Sequence, residues 1–329
     1  MFFKKIKKAS VLLLLLFIMP SYVLAYSTYL IPGGENIGIQ IKTDGVIIVG
    51  TYDIDGKNPA IEAGLKVGDT IMKINDSEVV SIDDMISKIS SSRSLTVDVT
   101  YKRGDKLSST TLSVAKEDDI YKTGLYVKDS VTGIGTLSFI DPETKIFGAL
   151  GHEITEKNTG VLLEIKDGKI YDSNVTGIEK SSNGIPGAKN AELYLDNQKG
   201  TISENTTSGI FGKYTGVLPD KKKYKVANVD DIKLGKAKIL TVISKQEVRE
   251  YDINILKLNK SSKQKTKNIL FEITDEELLK NTGGVVQGMS GSSIIQGDYI
   301  IGAVTHVVVD DPSKGYGIFI TNMLEEAEN

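Results

Sequence analysis

Along most of this chain apolar and polar residues alternate over short stretches, the period of two that builds half-buried strands rather than helices. Gly38-Ile-Gln-Ile-Lys42 alternates from Ile39 onward and predicts a strand; after an Asp44-Gly45 turn, Val46 to Gly50 predicts another. Thr70 to Ile74, Leu95 to Tyr101 and Leu107 to Val114 continue the series. Short helices interrupt it. Asn58-Pro59 can cap and open one, and Gly64 can end it in a left-handed conformation. Ser81-Ile-Asp-Asp84 opens the next, which runs through Met85, Ile86 and Ile89. Residues 28–117 are therefore expected to form a small, mostly β domain.

From residue 118 to 329 the same period predicts strands at Ile134 to Ile140, Lys145 to Leu150, Gly160 to Glu164, Ala237 to Ile243, Tyr251 to Leu258, Ile269 to Ile273, Ile294 to Ile295 and Ile300 to Val309. Asp141-Pro142 and Asp167-Gly168 read as turns between them. No regular alternation of strand and helix appears, so a Greek-key or double-barrel β fold is expected for this larger domain. The stretch from Lys257 to Lys267 reads as a solvated hairpin tip or basic loop.

The first 27 residues differ. Four lysines precede an apolar run from Val11 to Ala25, the layout of a signal peptide or an uncleaved signal anchor. Either form makes membrane contact and sends the remaining chain across. The composition changes the picture mainly by exclusion. With 40% hydrophobic and 25% charged residues over 329 positions, the chain can fill two domain cores. A net charge of -3 asks for no nucleic-acid partner. The absence of cysteine rules out disulfides, thiol catalysis and thiolate metal sites. Only two histidines, His152 and His306, are present, so neither a multi-histidine zinc site nor any other metal or organic cofactor is expected.

The concentrated chemistry lies near the end, in NTGGVVQGMSGSSIIQGDYIIGAVTHV. Ser290 stands between Gly288-Met289 and Gly291, where glycines permit a tight backbone with exposed amides. The amides of Gly288 and Ser290 could converge on a developing oxyanion, as acyl transfer requires. His152 ends an apolar strand in FGALGHEI and is the expected general base. His306 competes, but its place inside a strand reads as packed. Asp275 supports two readings. It can complement a helix N-terminus opened by Thr274 and Glu277, or it can orient His152. Asp141, Asp196, Asp310 and Asp311 remain candidates for the orienting role.

The stretch NPAIEAGLKVGDTIMKIN resembles a PDZ domain. That resemblance implies a carboxylate-binding loop at Ile31 to Gly38, with Gly33, Gly34, Asn36, Ile37 and Gly38 receiving a peptide or C-terminus, from outside or from this same chain. Together with FGALGHEI and GGVVQGMSGSSIIQ…GAVTHV, the whole chain resembles the stage IV sporulation protein B family of serine peptidases. The resemblance implies a chymotrypsin-like double β-barrel and a triad falling on His152, Asp275 and Ser290. It departs from the family pattern at Ser293, where proline is expected. It further implies export from the forespore into the space between forespore and mother-cell membranes. There the family cleaves itself and a membrane-bound regulator of an intramembrane metalloprotease, which activates the late mother-cell sigma factor. The competing expectations are an inactive PDZ-bearing scaffold and an enzyme that is latent in isolation.

Overall fold

A computed structural model of the chain describes residues 27–118, 120–261 and 265–327. The expected targeting segment lies outside these residues except for Ser27. Among the described residues no helix is long and apolar enough to cross a membrane.

Antiparallel strands close into two six-membered barrels. In the first, Asn36–Thr51 pairs with Leu125–Ile140, which pairs with Ile146–Ala149. The circuit continues through Gly209–Tyr214, Ala188–Thr206 and Ile165–Glu179, which returns to Asn36–Thr51. In the second, Gly235–Val242, Val248–Leu258, Ile269–Ile273, Lys314–Phe319, Tyr299–Val307 and Ser293–Gln296 follow one another around the ring. Each barrel strand is paired on both sides over at least part of its length, and alternate residues point inward. Ile37, Ile39, Ile41, Phe147, Ile170 and Ile210 fill the first barrel. Ile239, Tyr251, Ile253, Phe271, Ile294 and Val304 fill the second. A further cluster that includes Phe139, Phe211, Leu240 and Ile300 joins the barrels and is covered by the helix Ile320–Ala327 through Met323 and Leu324.

The small domain has its own core of Val46, Ile48, Ile71, Ile74, Met85, Ile89, Val97, Val99 and Leu112. Its helices start where capping chemistry predicts. Asn58 accepts the Ile61 amide at 3.1 Å and Ser81 accepts that of Asp84 at 3.1 Å. Gly64 leaves the first helix at φ +74. Asp69, almost wholly buried, is held by the Arg103 guanidinium at 2.6 Å and by the Lys66 amide at 2.8 Å.

This domain is joined to the barrels by a shared strand, a feature that a division at residue 117 does not express. The strand Asn36–Thr51 belongs to both units. Its first half pairs with residues 130–136 on one side and 165–172 on the other, inside the first barrel. Its second half pairs with residues 125–128 and 70–71, inside the small domain. The change occurs at Gly45, with φ +81 and room for a Cβ only 2.5 Å from Ile71 O. The small domain thus lies between the barrel strands Asn36–Thr51 and Leu125–Ile140, and residues 36–43 pair inside the barrel.

The same pairing corrects the expected carboxylate loop. Gly33 donates to Ser138 O at 3.0 Å and Gly34 to Leu137 O at 2.8 Å, so neither amide is free for a ligand. Asn36 donates to Ser173 Oγ at 2.7 Å, Ile37 is buried, and Gly38 packs against Leu193. The peptide-accepting edge is filled by the chain's own strand Ile165–Glu179. Two smaller expectations also fail. Asp167-Gly168 is no turn but lies within that strand. Gly160 to Glu164 is a loop rather than a strand, folded around buried Glu156, which accepts the amides of Asn158 and Thr159 at 2.8 and 2.9 Å.

A fragment beginning at residue 118 should therefore lack a barrel strand and show no cooperative thermal unfolding. A variant that keeps residues 27–43 and joins them to residue 129 through a short Asn-Gly turn should unfold cooperatively. Circular dichroism melts of both check the assignment; a cooperative 118–329 fragment would contradict it.

Candidate active site

The seam between the barrels opens into a cleft of about 540 Å³. Its walls are mainly apolar, with Ile39, Ile41, Ile134 and Leu150 on one side and Val285, Val286 and Val307 on the other. Ser290, His152, His306 and Gly288 all line it. The fold thus brings together residues separated by about half the chain.

Ser290 sits on the turn before the strand Ser293–Gln296. Glycine is required around it: Gly288 has φ +92 and Gly291 φ +98, and a Cβ on Gly291 would overlap the carbonyl of Thr136. Thr136 ties this turn to the first barrel. Its amide donates to Ser290 O at 3.0 Å and its hydroxyl to Gly288 O at 2.7 Å. Within the turn, Met289 donates to Val286 O, Gly291 to Val304 O and Ser292 to Met289 O. Among the described residues the amides of Gly288 and Ser290 have no acceptor. These are the two amides expected to form an oxyanion hole.

His152 follows a left-handed pair, Leu150 at φ +69 and Gly151 at φ +73. A Cβ on Gly151 would approach Thr305 Cγ2 to 2.9 Å, so glycine lets this segment lie against the second barrel. His152 Nδ1 lies 2.8 Å from the carbonyl of Glu153. A proton on Nδ1 satisfies that contact and leaves Nε2 as an acceptor facing the cleft's chemistry. The Ser290 hydroxyl donates to Thr305 O at 2.8 Å instead of to this ring.

His306 is adjacent, its ring 5.4 Å from that of His152 at an interplanar angle of 42°. Burial, reinforced by the charges of His152 and Lys267, pushes its pKa down to about 4. Its Nδ1 is buried with no hydrogen-bond partner among the described residues.

Asp275 is not brought to the histidines. It caps the helix Glu276–Thr282, accepting the Leu278 amide at 2.9 Å, while its other oxygen lies 3.4 Å from the Asp252 amide. Its carboxylate is engaged in holding a helix end, and it does not line the cleft. The other aspartate candidates are elsewhere too. Asp141 is buried in a turn with Ser27, Asp196 and Asp310 are exposed, and Asp311 pairs with Lys314. Glu153 is the carboxylate-bearing residue that lines the cleft. Ser293 donates to Ser138 O at 2.6 Å, a bond across the seam that proline could not make. Ser292 is fully buried, so neither neighbouring serine competes for the cleft.

Sequence reasoning missed Thr136, Thr305 and the buried Lys189. The first two act through backbone or hydroxyl contacts that any strand threonine could make. Lys189 lies in the polar-looking run Ala188-Lys-Asn190, which gives no sign of burial.

The family described as SpoIVB peptidase S55 matches residues 119–324, and the PDZ domain family matches residues 36–114. No curated protein sequence is close enough to the chain to count as a match. Among solved structures, the PDZ domain of the SdrC-like protein from Listeria monocytogenes is 25% identical over 26% of this chain and 90% of its own, with a TM-score of 0.23. The inactive form of the Rv3671c protease is 13% identical over 60% of this chain and 85% of its own, with a TM-score of 0.34. A serine-to-alanine mutant of Rv3671c from M. tuberculosis, also inactive, is 12% identical over 59% of this chain and 82% of its own, with a TM-score of 0.31.

The depressed pKa of His306 makes a stability statement. Folding favours its neutral form, so the contribution is full above the ordinary value of 6.5 and is lost as pH falls through about 4. Thermal melts of Ser290→Ala protein should show stability declining over that window, with a shallower decline when His306→Gln is added. Equal slopes in the two proteins would contradict the assignment.

Proposed function

Because the chain belongs to the SpoIVB peptidase S55 family, we propose that it is a serine endopeptidase in which Ser290 is the nucleophile and His152 the general base. The observation that carries this reading is the convergence of Ser290, His152 and two unengaged amides on one apolar cleft.

The reaction begins with a change of partner. The Ser290 hydroxyl leaves Thr305 O and donates to His152 Nε2. Ser290 Oγ attacks the scissile carbonyl, and its proton passes to Nε2. The Gly288 and Ser290 amides receive the oxyanion in a cleft whose apolar walls strengthen those bonds. The imidazolium protonates the leaving amine, and water attacks the acyl-enzyme with the same base. The Glu153 carbonyl orients the ring through Nδ1. A carbonyl stabilises the imidazolium less than a carboxylate would, so the resting arrangement favours modest intrinsic turnover. Thr305 O holding the serine hydroxyl also favours a resting enzyme over a permanently armed one.

Asp275, where the family resemblance places the triad aspartate, acts here as a helix cap. The PDZ insertion shares the strand Asn36–Thr51 with the barrel whose Ile39 and Ile41 line the cleft, which places the insertion next to the site. The substrate class is accordingly a protein segment. From the family resemblance and the lysine-flanked N-terminal run, the enzyme acts in sporulation signalling. Exported from the forespore and in membrane contact through its N-terminal segment, it cleaves itself and a membrane-bound regulator of an intramembrane metalloprotease.

Intact-mass measurements over time on the region after residue 27 should show fragments in the wild type and none in Ser290→Ala. If neither protein is cut, with a candidate membrane-protein substrate also present, a latent enzyme or an inactive PDZ-bearing scaffold is the better account. His152→Ala should lower kcat/KM by at least ~10³-fold, the scale expected for loss of the base. Asp275→Asn, which keeps a good cap, should leave Tm unchanged and kcat within about twofold, whereas Asp275→Ala should cost roughly 1 kcal/mol of stability. A fall in kcat of about 10⁴ for Asp275→Asn at unchanged Tm would assign Asp275 to orienting His152.

A further inference from the structure

Beneath the nucleophile turn, on the side away from the cleft, lies a lysine that the reaction does not use. Lys189 is 3% exposed. It projects from the strand Ala188–Thr206 of the first barrel into the seam. Its Nζ donates to Thr241 Oγ1 of the second barrel at 3.0 Å and approaches Thr136 Oγ1 of the first at 3.5 Å. Both threonines are fully buried. No carboxylate pairs with the ammonium among the described residues. An unpaired buried ammonium is costly, so its retention calls for an account beyond packing.

Its contacts with the turn supply one. The Lys189 amide donates to Gln287 O at 2.9 Å. In a trans peptide the C=O and N–H point in opposite directions. Fixing Gln287 O on Lys189 therefore aims the Gly288 N–H the other way, toward the cleft. The next peptide is fixed as well, because Gly288 O accepts the Thr136 hydroxyl at 2.7 Å. The Lys189 side chain also packs under Gly288, where an added Cβ would lie 3.2 Å from its Cβ and Cδ.

We propose that Lys189 is a positioning residue for the oxyanion hole, its ammonium holding through Thr136 the Gly288–Met289 peptide, the link between the receptive amides of Gly288 and Ser290. This deepens the peptidase reading and rests on it. An ammonium has three donors and no lone pair, so toward Thr136 Oγ1 it can only donate. The threonine's single proton is then committed to Gly288 O. A neutral amine has a lone pair that can take the Thr136 proton and release Gly288 O. The peptide that links the two receptive amides is thus locked when Lys189 is charged and loosened when it is neutral. Burial pulls the pKa of Lys189 down to about 7, so both forms are present near neutral pH. The charged form, and with it the lock, is lost as pH rises through that value. The groups facing Nζ from the packed elements are the Thr136 and Thr241 hydroxyls, and burial is the cause of its shift. Across the turn, Gly288 also faces the cleft residues His152, His306 and Glu153.

The test reads the turn directly. In ¹⁵N-labelled protein carrying Ser290→Ala and His152→Ala, which removes self-cleavage and the nearer histidine, the Gly288 amide shift is followed from pH 5.5 to 8.5. It should titrate with a midpoint near 7. Adding Lys189→Met should abolish that titration. Adding Thr241→Val, which leaves the lysine but removes its closer acceptor, should move the midpoint to lower pH. A Gly288 amide that stays flat while Lys189 is present, or titrates equally without it, overturns the proposal; the flat result needs no lysine variant to fold. In the otherwise wild-type enzyme, Lys189→Met should lower kcat by roughly 10- to 100-fold with KM within about twofold, the scale of a damaged oxyanion donor, and should remove the alkaline limb of the kcat profile. Unchanged kcat and pH profile in an active Lys189→Met enzyme overturn the positioning role and leave the peptidase reading standing. A titrating Gly288 in a protein that cleaves nothing supports the lysine coupling and overturns the peptidase reading instead.

Discussion

Thr136 makes the contact on which the site depends. Its hydroxyl holds Gly288 O, its amide holds Ser290 O, and its carbonyl accepts the Leu150 amide at 3.2 Å. One fully buried residue of the first barrel thereby fixes both the turn that carries Ser290 and the segment that leads to His152. The two belong to different barrels, and strand pairing within either barrel cannot set the distance between them. Three hydrogen bonds in a desolvated seam can, because leaving any of these buried backbone groups unpaired would cost more than the bond itself contributes.

That seam is polar where a barrel interface could have been wholly apolar. Lys189 and Thr241 meet there, and Ser293 reaches across to Ser138 O. Such groups confer less stability than hydrocarbon of the same volume, but they have direction. Hydrophobic packing around Phe139, Leu240 and Ile300 brings the barrels together; the polar contacts decide at what register they stop. The glycines serve the same end. Gly151 and Gly291 allow approaches between the barrels that a Cβ would prevent.

The period-two alternation was sufficient to identify the β class, and capping residues placed the helices after Asn58 and Ser81. Ser290, His152 and Gly288 were legible because glycine-flanked serine and strand-end histidine are local signals. The sharing of a strand between the two units was not legible. Residues 36–51 read as two strands of one domain, yet they form a single strand shared between two, since local alternation says nothing about which sheet a strand joins. The long strands Ile165–Glu179 and Ala188–Thr206 escaped for a related reason: many of their positions are exposed, so their hydrophobic pattern is weak. Asp275 shows the limit of a motif. The residues around it describe a helix start equally well, and only the hydrogen bond to Leu278 distinguishes the two roles. Lys189 carried no signal at all, because its significance comes from Thr136 and Thr241, far away in sequence.

The central claim is that Ser290 and His152 form a working nucleophile and base over an open oxyanion hole. Treatment with a fluorophosphonate, followed by mass mapping of the modified residue, tests this without knowledge of the substrate. The account predicts a single adduct on Ser290 that is lost in His152→Ala and retained in His306→Gln. Labelling that is absent from Ser290, or that persists unchanged without His152, would contradict it.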